Sequence, residues 1–400
     1  MIKGFFMQST LTWIKFVLVS LFFFFQFLQM TMFNTLALPL MADFHLNPTQ
    51  ISYLSALFFL TCAILSIPAG ILVDKYSLRK IILFGMAFSI LNLWLMQQSQ
   101  DLTNLYLIRI FQGIVHAFCF ISIIKLATYY FPSRHMALAT GILVTIGMLG
   151  GAFAQKPLAV LIHNMGWRQT LTYLTVFGCL IWITLFFVID TFKDDVKSEK
   201  KYFYQFKNIL SNRQNWLAGL YASLINLPLM ILGGLWGNQY LVATQKIDLI
   251  AAASICSMLF IGTLFGAPLI GYISDKLGRR CLPMTIASIL ALILLISINV
   301  IPLLDIISLH LLFLAIGIIT SSQIIIYPLI SESNQPAYTG TALAISSVIV
   351  FSGPLVFQPL FGLLIQYYNF QIAFLILPAT LFLSFICSSF LKDNYGKKLK

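Results

Sequence analysis

Residues 106 to 127 read YLIRIFQGIVHAFCFISIIKLA, a run apolar and long enough to cross a bilayer that still carries Arg109, His116 and Lys125. At about 100° per residue, Arg109, Gln112 and His116 fall on one helical face and form a polar stripe. With this helix entering the membrane at Asp101, Arg109 lies roughly 10 Å and His116 roughly 20 Å below the outer end. A second cation, Lys156, belongs to the next run and sits roughly 10 Å from the same surface. Each buried cation costs on the order of 3 kcal/mol, so something must compensate it. The natural partner is a carboxylate, yet none of the twelve lies deep in a span. Asp43, Asp101, Asp248 and Asp305 mark outer ends; Asp74, Asp190, Asp194, Asp195, Glu199, Asp275, Glu332 and Asp393 mark inner ends or loops. A substrate anion can then serve as counter-ion, with Arg109 offering a planar fork to a carboxylate or phosphate and Lys156 a point charge. The competing arrangement caps Arg109 with backbone carbonyls and water and turns Lys156 into an outer vestibule. Lys125, about 160° around the helix from Arg109 and near the inner end, is expected to snorkel to the headgroups. His116, and Glu332 at the inner end of the tenth span, are the candidate proton carriers.

The elements that must position these groups are membrane helices. Of 400 residues, 60% are hydrophobic and 9% charged, far below the charged fraction that a water-facing surface needs. Apolar runs near 14–40, 50–73, 80–98, 102–129, 137–162, 169–191, 214–240, 247–273, 282–301, 304–329, 339–366 and 369–391 give twelve spans. The first is too long for a signal peptide and is read as a helix. The net charge of +12 invites a nucleic-acid reading. Its placement argues against one: with a cytoplasmic N-terminus, 19 of the 24 Lys and Arg fall on inner segments and only Arg168 and Lys246 on outer loops. Both termini are therefore expected in the cytoplasm. Many of the 36 Phe are expected to face lipid. The six cysteines have neither disulfide nor metal spacing and read as packing residues.

The chain repeats itself. GILVDKYSLRK from Gly70 returns as GYISDKLGRR from Gly271, a shift of 201; DLTNLYLIRIFQGI from Asp101 aligns with DIISLHLLFLAIGI from Asp305, a shift of 204 that places Gly113 on Gly317. MALATGI, at Gly141, is echoed by AYTGTALAI around Gly340. An all-α membrane protein of two six-helix pseudo-repeats follows, with bundles at 1–191 and 214–400 and a polar cytoplasmic linker at 192–213. Glycines 141, 147, 150 and 151, and 262, 266 and 271, are expected at close helix contacts.

The two GxxxDK loops and the RxxQG of the fourth span, Arg109 to Gly113, resemble signatures of the major facilitator superfamily of secondary transporters, over essentially the whole chain. Ser77 stands where the family's first loop usually has Gly, and GILVTIGMLGGAFAQKP lacks the proline of the antiporters' fifth-helix motif, which weighs against drug or proton antiport. The resemblance implies a central cavity lined by the first, fourth, seventh and tenth helices, which selects Gln29, Asn34, Asn226, Trp236, Gln323 and Tyr327 beside Arg109, Gln112, His116 and Lys156. It also implies gating roles for Asp74, Arg79, Asp275 and Arg279, with Asp74 meeting the start of the eleventh helix near Thr339. No GxxxxGK[ST] run is present, so an ion gradient or exchange is the expected energy source. The expected function is transport of a small polar metabolite bearing a carboxylate: an organic acid, amino acid or short peptide. The alternative is export of lipophilic drug or siderophore-like compounds. The histidines at 45, 116, 135, 163 and 310 do not converge, so catalysis is not expected. Neither cofactor, metal nor nucleic acid is expected; a monomeric, proton-coupled symporter of a bacterial inner membrane is.

Overall fold

The computed structural model describes residues 2–132, 135–190, 209–301, 303–335 and 339–395, with side chains from residue 10 onward. Most of the expected linker therefore lies outside the described residues. Among the described residues eleven helices are long and apolar enough to cross a membrane, and Arg213–Ile225 with Leu229–Gln245, bent by 44°, makes a twelfth when the pair is counted as one span. The spans are Ile2–Thr31 continued by Phe33–Asp43, Pro48–Lys75, Leu78–Gln98, Leu102–Tyr130, Met136–Phe153 continued by Lys156–Met165, and Trp167–Val188 in the first half. The second half has the bent seventh span, Leu249–Leu277, Cys281–Val300, Ile306–Thr320 continued to Glu332, Thr339–Tyr367, and Phe370–Phe374 continued by Ile376–Phe390. Lys15 of the first span pairs with Asp190 after the sixth at 2.8 Å, so the half returns to the end where it began. This is called the terminal end below, and the opposite one the distal end.

The repeat is visible in packing. A Cβ on Gly113 would stand 2.5 Å from the Phe58 carbonyl oxygen, and one on Gly317 2.2 Å from that of Leu259. Span four thus touches span two as span ten touches span eight, and only glycine lets the backbones come so close. Gly147, Gly150, Gly151, Gly262 and Gly266 are close contacts as expected, Gly150 against the Phe24 backbone and Gly151 against Phe260 of the other half. Gly141 and Gly271 are not: like Gly70 and Gly340, they have nothing within 4 Å of a Cβ. All four lie toward the terminal end of the spans through which the halves face each other. Many phenylalanines are interior rather than lipid-facing: Phe16, Phe22, Phe25, Phe33, Phe58 and Phe260 are essentially inaccessible, while Phe84, Phe187 and Phe390 point outward.

Candidate functional site

Arg109 is 1% exposed. Its guanidinium donates from Nε to the Leu54 carbonyl at 3.3 Å, from Nη1 to the Gln29 carbonyl at 3.3 Å and the Gln112 amide oxygen at 2.9 Å, and from Nη2 to the Ser55 carbonyl at 3.5 Å. It also lies over the rings of Phe33 and Phe58, 4.0 and 4.8 Å from their centroids. The first two spans thus solvate the cation with dipoles and aromatic faces, and no carboxylate among the described residues pairs with it. The distal acids are engaged elsewhere. Asp101, Asp248 and Asp305 accept backbone N–H bonds at the starts of their helices, where free amides favour an anion. Asp43 accepts from Trp167 Nε1 at 2.8 Å and pairs with Arg168.

His116, two turns further toward the terminal end than Arg109, is held by rings: Phe58 at 5.1 Å, Phe23 at 6.1 Å and, from the other half, Phe351 at 6.2 Å. Its Nδ1 has no partner. Gln29 turns its amide nitrogen to Ser89 of the third span, so its side chain points into the first half and only its carbonyl serves Arg109.

Asn34 and Trp236 join the halves. The Asn34 amide nitrogen reaches the Gln155 side-chain oxygen at 2.7 Å, the Leu232 carbonyl at 3.0 Å and the Asn238 side-chain oxygen at 3.2 Å; its oxygen accepts from the Asn238 backbone at 3.1 Å. Asn238 Nδ2 and Gln239 Nε2 both donate to the Asn34 carbonyl at 3.1 Å. Gln155 Nε2 donates to the Gly233 carbonyl at 2.9 Å, and Trp236 Nε1 to Ser52 Oγ at 3.1 Å. The sequence GGLWGN makes this possible. Residues Leu229–Trp236 form a π-helix after Pro228, and a Cβ on Gly237 would fall 1.9 Å from the Leu232 carbonyl oxygen. The wide turn re-aims the carbonyls of Leu232 and Gly233 at the first half, as such insertions do where a helix must offer its backbone to a partner. Gln155 and Asn238 were absent from the expected site; their signal was an amide inside an apolar run.

The remaining expected groups divide by place. Asn226 is buried at the bend of the seventh span, Gln323 is half-buried, and Tyr327, inside the tenth span, has 48% of its surface open. Lys156 is not brought to Arg109. The fifth span breaks at Gln155, so the lysine heads a new helix and is exposed, beside a depression of about 380 Å³ lined by Asp248, Ser254 and His310.

At the terminal end, Lys125 does not snorkel free: its Nζ donates to the Val73 carbonyl at 2.7 Å and lies 3.2 Å from Asp74. Asp74 therefore pairs within its own half. Arg79 Nη2 donates to the Phe186 carbonyl at 2.9 Å, with that ring beneath it. In the second half the basic residue engaged is Arg280, not Arg279. Arg280 bridges Asp275 at 2.6 Å and Glu332 at 2.9 Å, while Arg279 is exposed. The turn at Gly278, in the left-handed region at φ +59°, resets the helical phase, so that Arg280 rather than Arg279 comes to face the acids. Asp74→Asn is expected to slow turnover a few-fold with ligand affinity unchanged, a half-exposed pair being worth up to about 1 kcal/mol. Stopped-flow transport beside equilibrium binding separates the two, and equal turnover in both proteins would leave the pair only a topological role.

Comparison with known proteins agrees with this architecture. The sequence model of the Major Facilitator Superfamily matches residues 19–342. A drug efflux pump of Mycobacterium tuberculosis, JefA, is 23% identical over 169 residues, 42% of this chain and 33% of the pump. A probable nitrate/nitrite antiporter of Thermus thermophilus, NarK1, is 25% identical over 274 residues, 66% of this chain and 61% of the antiporter. The chain thus matches about a third of one curated relative and less than two thirds of the other. In structure it is similar to a bacterial homologue of the human lysosomal transporter Spinster in its inward-facing conformations. Unoccupied, that protein gives a TM-score of 0.74 at 16% identity over 95% of both chains; occupied, 0.74 at 17% over 94% of both. Eleven to twelve spans among the described residues, the paired GxxxDK loops and a family match across most of the sequence have one reading: the chain belongs to the Major Facilitator Superfamily of membrane transporters.

Proposed function

We propose that the protein is a secondary active transporter that carries a small polar metabolite bearing a carboxylate (an organic acid, amino acid or short peptide) by alternating access. The observation that carries this reading is Arg109, a fully buried cation in the bundle for which the described residues supply no carboxylate. Three of its four hydrogen bonds go to carbonyls at 3.3 Å or more, long for a charged donor, so an incoming carboxylate competes on favourable terms. The conformation fits one stage of such a cycle. The Asn34 latch closes the distal side, while the terminal-end glycines face open space. With both termini cytoplasmic, as the distribution of Lys and Arg favours, this is an inward-open state in a bacterial inner membrane. His116, with a free ring nitrogen where the halves meet, is the proton carrier in this reading; Glu332 is already the counter-ion of Arg280. Symport with protons or exchange by a monomer completes it.

A second reading, export of lipophilic compounds, is favoured by the aromatic surroundings of His116, formed by Phe23, Phe58 and Phe351. Of the curated relatives, one is named a drug efflux pump and one a probable nitrate/nitrite antiporter, whose inorganic anions are neither lipophilic nor carboxylates. A thermal-shift screen of the purified protein against organic acids, amino acids, dipeptides, sugars and lipophilic cations decides between them, because a ligand of the folded state raises its apparent stability. Stabilisation by carboxylates is expected; stabilisation by lipophilic cations alone moves export to the front.

A further inference from the structure

The buried polar atoms left without partners near the contact between the halves are sorted by chemistry. Gln112 gives its side-chain oxygen to Arg109, which can only donate, so the amide is fixed and its unpartnered atom is the N–H₂ group. Gln358 of the eleventh span gives its nitrogen to the Met230 carbonyl at 2.8 Å, which can only accept, so its unpartnered atom is the oxygen. The same logic fixes Gln239, whose nitrogen serves the Asn34 carbonyl and whose oxygen is free. Asn226 Oδ1, one turn from Met230, is a further acceptor without a donor. None of these four residues is more than 6% exposed. In the first half Ser55 Oγ, on the residue whose carbonyl meets Arg109, and His116 Nδ1 are also unpartnered and can each donate or accept, while the unpartnered atoms on Gln29 and Asn92 belong to the side of that half packed on the third span, where Gln29 meets Ser89.

Registration places Gln112 and Gln358 at neighbouring depths on the two facing halves. His116 meets Phe351 across the interface. Gln112 lies one turn distal of His116, about 6 Å, and Gln358 two turns distal of Phe351, about 10 Å, each on the same helical face as its reference residue. The first half thus presents a cation and a spare donor, and the second half spare acceptors. Buried polar groups seldom stay unsatisfied, least of all in a membrane.

Resting on the carboxylate reading above, the geometry points to a zwitterionic substrate, an α-amino acid or short peptide. Its carboxylate is taken by Arg109 and Gln112, and its ammonium donates to the oxygens of Gln358 and Asn226. A ligand with both ends satisfies both halves at once, whereas a plain organic acid leaves the second half's acceptors bare.

The test uses the purified full-length protein and three matched sets of probes: the proteinogenic amino acids with their glycyl dipeptides, the corresponding carboxylic acids with hydrogen in place of the ammonium, and the corresponding amines without the carboxylate. The best amino acid or dipeptide is expected to bind at least tenfold more tightly than either counterpart. Gln358→Leu is expected to lower its affinity at least tenfold while leaving that of the unsubstituted carboxylic acid unchanged. Gln358→Glu, which supplies an anionic acceptor and guards against loss of fold in the leucine variant, is expected to strengthen binding of the bare amine. Equal binding of amino acids and of the carboxylic acids that lack the ammonium overturns the zwitterion and leaves the carboxylate transporter standing. Binding only of compounds without a carboxylate overturns both.

Discussion

Arg109→Gln is expected to remove carboxylate-dependent stabilisation and to lower uptake of the carboxylate substrate by a factor of about 10 to 150, the equivalent of the 1.5–3 kcal/mol typical of hydrogen bonds to a charged group. The apo protein is expected to lose much less. The arginine's carbonyl partners at Leu54 and Ser55 lie inside the long second helix, where they also accept helical N–H bonds, and a carbonyl oxygen has two lone pairs. Truncation therefore strips a second donor from them rather than leaving them bare. It also relieves the membrane of an uncompensated charge. Arg109→Lys keeps the charge and loses the planar fork, so it should retain part of the affinity for carboxylates. Thermal shift with and without ligand, followed by uptake in proteoliposomes, separates the possibilities. If the variant unfolds more easily yet gains the same stabilisation from a carboxylate as the parent, Arg109 is a brace between the first two spans, and the ligand anion binds elsewhere.

What could be read from the sequence, and what could not, follows from which contacts leave a trace in residue types. The spans and the duplication were legible because burial in lipid demands unbroken apolar runs, and because Gly113 and Gly317 keep one spacing and one role against Phe58 and Leu259. Arg109 was legible as a buried cation without an acid for the same reason. Its actual partners were not: carbonyls of Gln29, Leu54 and Ser55 belong to every residue type, so contacts to them are invisible in composition. Lys156 was legible as a cation of the fifth span, which continues to Met165; its exposure was not, because it follows from the break at Gln155 ahead of Pro157, and proline at a helix start was the available sign. Lys125 was placed by length alone, though the chain brings Asp74 within reach. Asn34 and Trp236 were legible as polar groups in apolar helices. Their joining of the two halves depends on the π-helical turn at Leu229–Trp236, a displacement of register that no periodicity announces.

That latch carries the other large effect. Asn34→Leu is expected to shift the conformational equilibrium toward a distally open state by about tenfold or more, each buried group left unsatisfied costing about 1–3 kcal/mol. The groups affected are identifiable. Gln155 Oε1 and the Leu232 carbonyl lose their donor, and the Asn238 backbone N–H loses its acceptor, while the Asn34 carbonyl keeps the bonds from Asn238 and Gln239. All of these groups sit between the halves, so separation of the halves, which lets water reach them, relieves the cost that closure now imposes. The destabilisation thus falls on the closed state alone, and a mutation inside either half would not act in this way. Spin labels at the exposed distal positions Asn164 and Ile307, one in each half, report it directly: the distance distribution should gain a longer component in the variant. Transport should fall in parallel, because a cycle that seldom closes distally seldom delivers to the other side. Gln155→Leu, which removes a second bond of the latch to the Gly233 carbonyl, should shift the distribution in the same direction. An unchanged distance distribution in both variants would mean that Trp236 on Ser52 and the close approach of Gly362 to Pro48 hold the distal side shut without the amides.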